Sequence, residues 1–100
     1  MFGASKLEVE IMSLLKNGSR LYGLEMVKAS SLLKRGSIYV YLGRMEEKEW
    51  IKSEAEKDPS VAGMPRRRYW ITGKGQAVLN RAVATAAEYA SWSPEGGFAG

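Results

Sequence analysis

The chain has 100 residues, a net charge of +4 and neither cysteine nor histidine. That describes one small domain, and the two missing residue types exclude disulfides, thiolate nucleophiles, Cys/His zinc sites and a histidine general base. With 45% hydrophobic residues it supports a core, but a small one, so a dimer is a reasonable way to bury more surface.

The N-terminus Met1-Phe2-Gly3-Ala4-Ser5-Lys6 has no signal-peptide core, and no apolar run approaches the ~20 residues of a membrane span. A cytoplasmic protein without membrane contact is expected. Ser5-Lys6-Leu7-Glu8 has the form of a capping box. Leu7, Ile11, Leu14 and Leu15 then recur at i, i+4, i+7 and i+8, which predicts a first helix with one apolar stripe, stopped by a left-handed Gly18. A second, shorter helix is predicted from about Tyr22 to Ser30, with Leu21, Leu24 and Val27 as its apolar face. Ser30, Ser31 and Gly36 bracket a turn, and Ser37 is placed to cap a third helix from about Ile38 to Lys48. Its inward stripe is Ile38, Leu42 and Met45, while Tyr39, Val40, Tyr41 and Arg44 lie largely off that stripe. Two short helices joined by a tight turn, the second with a polar and aromatic outer face, read as a helix-turn-helix.

Ile51 to Glu56 and Arg66 to Ile71 both alternate with period two, which predicts a β-hairpin. Its connection, Lys57 to Pro65, is long for a hairpin turn and expected to be mobile. Thr72 is placed to cap a fourth, alanine-rich helix that runs from about Gln76 to Trp92 and stops at Pro94. The expected organisation is residues 1–71 as a DNA-binding unit, 72–93 as a C-terminal helix and 94–100 as a tail.

Charge is clustered. From Met26 to Met45 there are no acids, but there are Lys28, Lys34, Arg35 and Arg44. From Pro59 to Ala87 there are again none, but there are Arg66, Arg67, Arg68, Lys74 and Arg81. The segment 46–58 between them holds Glu46, Glu47, Glu49, Glu54, Glu56 and Asp58. Two basic windows around an acidic one suit an anionic partner. The plainer alternative is a mixed, solvated surface. Among the residues left for chemistry no carboxylate pair has diagnostic spacing, and Gly73-Lys74-Gly75 is too short for a phosphate loop. An enzyme is therefore not expected, nor any metal or cofactor.

The order of elements, α-α-α-β-β-α, is mostly α with a small β-hairpin, the order of a winged helix-turn-helix. In that fold the third helix enters the major groove and the hairpin wing reaches the DNA backbone or minor groove. The two basic windows fall on those two elements.

Three segments also carry a resemblance. Tyr22-Gly23-Leu24-Glu25-Met26, Gly36-Ser37-Ile38-Tyr39-Val40-Tyr41-Leu42-Gly43-Arg44-Met45-Glu46, and Arg66-Arg67-Arg68-Tyr69-Trp70-Ile71-Thr72-Gly73-Lys74-Gly75 resemble, in that order, the second-helix opening, the recognition helix and the wing exit of the PadR-like transcriptional regulators. Together they cover about residues 5–80. Two features depart from that pattern. Glu49 stands where the family usually has glycine at the end of the third helix, so the local geometry there is expected to differ. The C-terminal helix is also shorter than many in the family. The resemblance implies dimerisation through that helix, and a pocket for flat ligands near its end.

The expected DNA-binding residues are Lys34, Arg35, Ser37, Tyr39, Tyr41, Arg44, Arg66, Arg67 and Arg68. Each has a plainer reading. For Arg66 and Arg68 it is pairing with Glu54 and Glu56 across the hairpin, but exposed pairs contribute only ~0–1 kcal/mol, and phosphate is favoured for at least two of the three arginines. Tyr39 is open between packing and a phosphate contact, Tyr41 and Arg44 are read as outward, and Ser37 is first a helix cap. Trp50, Trp70 and Trp92 are most simply core or interface anchors. Ala82, Ala86, Tyr89 and Trp92 are expected at the dimer seam or an effector pocket, though the alanines also serve plain helix propensity. The resulting expectation is a homodimeric repressor on a near-palindromic operator. Its partners are double-stranded DNA, a second copy and a small aromatic effector. The alternative is a winged helix used as a protein-interaction module without a DNA site of its own.

Overall fold

The computed structural model describes residues 3–56 and 66–91, with side chains through residue 86. The connection from Lys57 to Pro65, the Tyr89 side chain, Trp92 and the tail from Pro94 lie outside the described residues.

Helix α1 (Lys6–Leu15) opens with the expected capping box. The Ser5 N–H donates to Glu8 Oε1 at 2.8 Å and the Glu8 N–H to Ser5 Oγ at 3.3 Å. Ile11, Met12 and Leu15 are fully buried. The helix tightens into a 3₁₀ turn, Lys16–Gly18, and the left-handed stop is shared between Asn17 at φ 67° and Gly18 at φ 78°.

A two-residue strand follows, β1 (Leu21–Tyr22). It pairs antiparallel with the wing, Leu21 opposite Tyr69 and Tyr22 opposite Arg68. The expected two-stranded hairpin is therefore the larger part of a three-stranded sheet ordered β1-β3-β2. Two residues are too few to display a period, so the sequence carries no sign of this strand.

Helix α2 (Gly23–Ala29) is held at its start by the Tyr22 N–H donating to Glu25 Oε1 at 2.8 Å. Its inward residues are Gly23 and Met26, and Leu24, expected inside, is 40% exposed. Seven residues make two turns, which does not set the phase of an apolar stripe. Leu33 then anchors the turn in the core.

Helix α3 (Ile38–Glu47) buries Ile38, Leu42 and Met45 completely, as expected. Ser37 occupies the N-cap position, but its side chain makes no cap hydrogen bond. Its carbonyl instead accepts from the Val40 and Tyr41 N–H groups at 3.0 and 3.3 Å. The chain leaves α3 through Glu49 at φ 65°. Glutamate here thus takes a left-handed conformation that glycine adopts at lower cost.

Strands β2 (Ile51–Glu56) and β3 (Arg66–Ile71) pair antiparallel from Ile51 opposite Ile71 to Glu56 opposite Arg66. Helix α4 (Gly73–Ser91) starts three residues before the expected body. Thr72 caps it: its Oγ1 accepts from the Gly75 N–H at 3.0 Å and donates to the Glu49 and Trp50 carbonyls at 2.7 and 3.0 Å. The Thr72 N–H donates to the same Trp50 carbonyl at 3.0 Å. A Cβ at position 75 would lie 2.0 Å from the Trp50 carbonyl oxygen, so only glycine permits this approach. Leu79 is 2% exposed and belongs to one core with Ile11, Leu15, Met26, Leu42, Met45, Trp50 and Tyr69. The first turns of α4 thus pack into the same core as α1–α3.

Candidate nucleic-acid interface

The outer face of α3 follows from its buried stripe. At 100° per residue, Val40, Gly43, Arg44 and Glu47 point away from Ile38, Leu42 and Met45, and all four are exposed. Tyr39 is 52% exposed. Tyr41 corrects the outward expectation. It stands three residues after Ile38 and four before Met45, so it borders the stripe, and it packs half-buried against the core. Lys34 and Arg35 are exposed in the turn ahead of α3, where the Lys34 carbonyl accepts from the Ser37 and Ile38 N–H groups at 3.2 and 2.9 Å.

The three wing arginines differ in what holds them. Arg68 is engaged by the fold: its Nε donates to Glu56 Oε2 at 2.9 Å and its Nη2 to the Tyr22 hydroxyl at 3.0 Å. The Tyr22 hydroxyl in turn donates to Glu56 Oε1. The Tyr22 hydroxyl, and then Arg68, hold the Glu56 carboxyl below the usual carboxylate range. Arg66 and Arg68 both lie over the Tyr22 ring, at 5.3 and 4.5 Å from its centroid. Arg67 faces the other side of the sheet, where its Nη1 donates to Ser53 Oγ at 2.9 Å. Ser53 donates to Glu46 Oε2 of α3 at 2.6 Å. A short chain of hydrogen bonds therefore joins β3 and β2 to α3. Burial, and then the Glu46 charge, push the Tyr69 phenol up beside it.

These elements enclose a groove of about 750 Å³. Tyr22, Lys28, Tyr39, Arg66, Arg67 and Tyr69 are among its lining residues. Of the expected DNA-binding residues, the fold brings Tyr39, Arg66 and Arg67 together here. Lys34, Arg35, Ser37, Tyr41, Arg44 and Arg68 do not line it. Tyr22 and Lys28 do, although neither was among the expected site residues. Tyr22 reaches the wing only through β1, which no period announces, and Lys28 was visible solely as part of a basic window. A further cation, Arg20, sits over Trp70 at 4.2 Å.

On α4, Ala82 is half-buried and Ala86 exposed, and Val83 is 56% exposed. Among the described residues no three carboxylates gather as metal ligands, and no helix is long and apolar enough to cross a membrane.

Three helices with the outer face of the third exposed, and a sheet whose long, arginine-bearing hairpin stands beside it, define a winged helix-turn-helix. The sequence profile of the transcriptional regulator PadR-like family matches residues 11–81, and the chain belongs to that family. Solved structures agree. A PadR-like transcription factor from Bacteroides fragilis superposes with a TM-score of 0.76 at 26% identity, over 85% of this chain and 84% of the other. A PadR family transcription regulator from Clostridium difficile R20291 gives 0.74 at 28% identity, over 87% and 93%. Bacillus subtilis PadR, solved in complex with operator DNA, shares the fold with a TM-score of 0.69 at 20% identity, over 79% of this chain and 48% of that one. No curated protein sequence matches the chain.

Proposed function

We propose that this chain is a sequence-specific DNA-binding transcriptional regulator, acting as a homodimeric repressor on a near-palindromic operator. The observation that carries the proposal is the groove between α3 and the wing, where Lys28, Arg66 and Arg67 meet Tyr39 and Tyr22. A DNA backbone strand is the anion such a groove fits, and Bacillus subtilis PadR was solved with operator DNA. In this reading Arg66 and Arg67 anchor phosphates. Lys34, Arg35 and Ser37 approach the backbone ahead of α3, and Tyr39 and Arg44 face the major groove. Tyr41 and Arg68 act indirectly, Tyr41 by seating α3 and Arg68 by bracing the wing. Residues 72–93 supply the dimer contact through α4, with Ala82 and Ala86 at the seam. Two-fold symmetry of the protein then asks for two related half-sites. The place of work is the cytoplasm, and a small aromatic effector is a further partner to test by tryptophan fluorescence.

The test is the salt dependence of binding. The logarithm of affinity should fall with the logarithm of salt by ~0.9 for each phosphate neutralised. Arg66→Ala combined with Arg67→Ala should weaken binding to all sequences alike and flatten that slope by about two such steps. An affinity that does not respond to salt, or an unchanged slope in the double variant, contradicts the proposal.

A further inference from the structure

We propose that Val40 and the bare backbone of Gly43 form a thymine-reading point on the outer face of α3. This rests on the DNA-binding reading above and names a base contact within it.

Gly43 stands inside a ten-residue helix and is not among the glycines with positive φ. A Cβ placed there would meet nothing within 4 Å. Neither backbone conformation nor packing therefore requires glycine, although glycine weakens a helix interior relative to alanine. The fold alone gives this residue no use. Helical side chains lean toward the N-terminus, so a side chain at 43 would cover the surface beside Tyr39 and Val40, one turn earlier. Glycine leaves both open, and each is 52% exposed. Val40 lies outside the core cluster and outside the residues packed against it. An apolar, β-branched side chain thus stands uncovered next to a gap in the helix surface.

The edge of a thymine fits both features. An α-helix of about 10–12 Å nearly fills a major groove about 12 Å wide, so a missing side chain lets the helix backbone approach the bases. The thymine C5 methyl is the one apolar group base edges offer there. The positive charge such a partner needs comes from the adjoining groove, where Arg66, Arg67 and Lys28 outnumber Glu25, while on the helix face Arg44 is offset by Glu47.

The test uses the full chain and a duplex selected from a random-sequence library for tightest binding. That duplex is remade with deoxyuridine at each thymine in turn. At one thymine per half-site, loss of the methyl should weaken wild-type binding about fourfold, the effect of one buried methyl-sized group. In Val40→Ala the same exchange should change little. Gly43→Ala should raise the melting temperature by about 4–8 °C, as better helix propensity requires, yet bind the thymine duplex more weakly. A structural role for Gly43 would not move stability and affinity in opposite directions. The proposal is overturned if every deoxyuridine duplex binds wild type as the parent does. It is equally overturned if Val40→Ala keeps the methyl dependence, or if Gly43→Ala binds undiminished. Failure to select any duplex would instead overturn the DNA-binding reading itself.

Discussion

At the scale of single residues, two positions show how much geometry one side chain decides. Glu49 holds a left-handed turn at φ 65° between α3 and β2. A non-glycine residue there costs about 1–2 kcal/mol, part of which glycine gives back as unfolded-chain freedom. Glu49→Gly is therefore expected to stabilise the protein by about 0.5 kcal/mol, read as a higher urea midpoint at unchanged slope. The ion pair it removes, with Lys74 at 4.0 Å, is exposed at both ends and contributes little. Gly75 predicts the opposite sign. A Cβ there would lie 2.0 Å from the Trp50 carbonyl oxygen, and backbone cannot step aside as a flexible side chain would. Gly75→Ala should cost about 1–3 kcal/mol and lower the melting temperature.

Among the elements, the long periodic ones were legible and the short ones were not. α1 and α3 each repeat an apolar position over about two turns, so spacing names Ile11, Leu15, Ile38, Leu42 and Met45 as buried, although in α1 it passes over the fully buried Met12, and Leu7 and Leu14 are only partly buried. α2 has seven residues, and of its expected face Leu21 and Val27 pack partly buried against the core, while Leu24 is exposed and Met26 takes the fully buried place. Tyr41, expected outward, packs half-buried because a position three residues after Ile38 borders the buried face instead of leaving it. Glu8 was legible only as a cap. In the structure its side chain is 7% exposed and also accepts from Lys48 Nζ at 2.9 Å, which ties α1 to the end of α3. Burial pushes this carboxyl up, but the Ser5 backbone N–H and Lys48 outweigh burial, and the net direction is below the ordinary value of 4.5. A depressed folded value stabilises the protein above the unfolded one. That stability should be lost as pH falls from about 4.5 through the folded value. Urea titrations of wild type and Glu8→Gln should differ most near neutral pH and converge in acid. A gap that widens in acid contradicts the assignment.

For the whole molecule, the sequence showed two basic windows but not that they meet. Tyr22, Lys28, Tyr39, Arg66, Arg67 and Tyr69 converge only because β1 adds itself to the far edge of β3 and brings α2 with it. Such long-range pairing leaves no local pattern. The dimer proposal also belongs to this scale. Val83 is 56% exposed on α4, beside Ala82 and Ala86. Val83→Glu should shift the protein toward monomer in sedimentation while leaving its circular dichroism unchanged. A variant that sediments as wild type does would move the interface elsewhere.

The clasp between Thr72 and Trp50 has a mechanical consequence. Two hydrogen bonds from Thr72 end on the Trp50 carbonyl, and Gly75 presses α4 against the same oxygen. No compliant link separates the last helix from the wing, so in a dimer built on α4 each reading head is welded to its axle. Such a protein is a caliper of fixed jaw width. Inserting one base pair between half-sites rotates one of them by roughly 34–36° about the DNA axis. A welded caliper cannot follow that rotation by bending at the wing. It would have to slip at the α4 seam, which makes the tolerated spacing a property of the dimer contact alone.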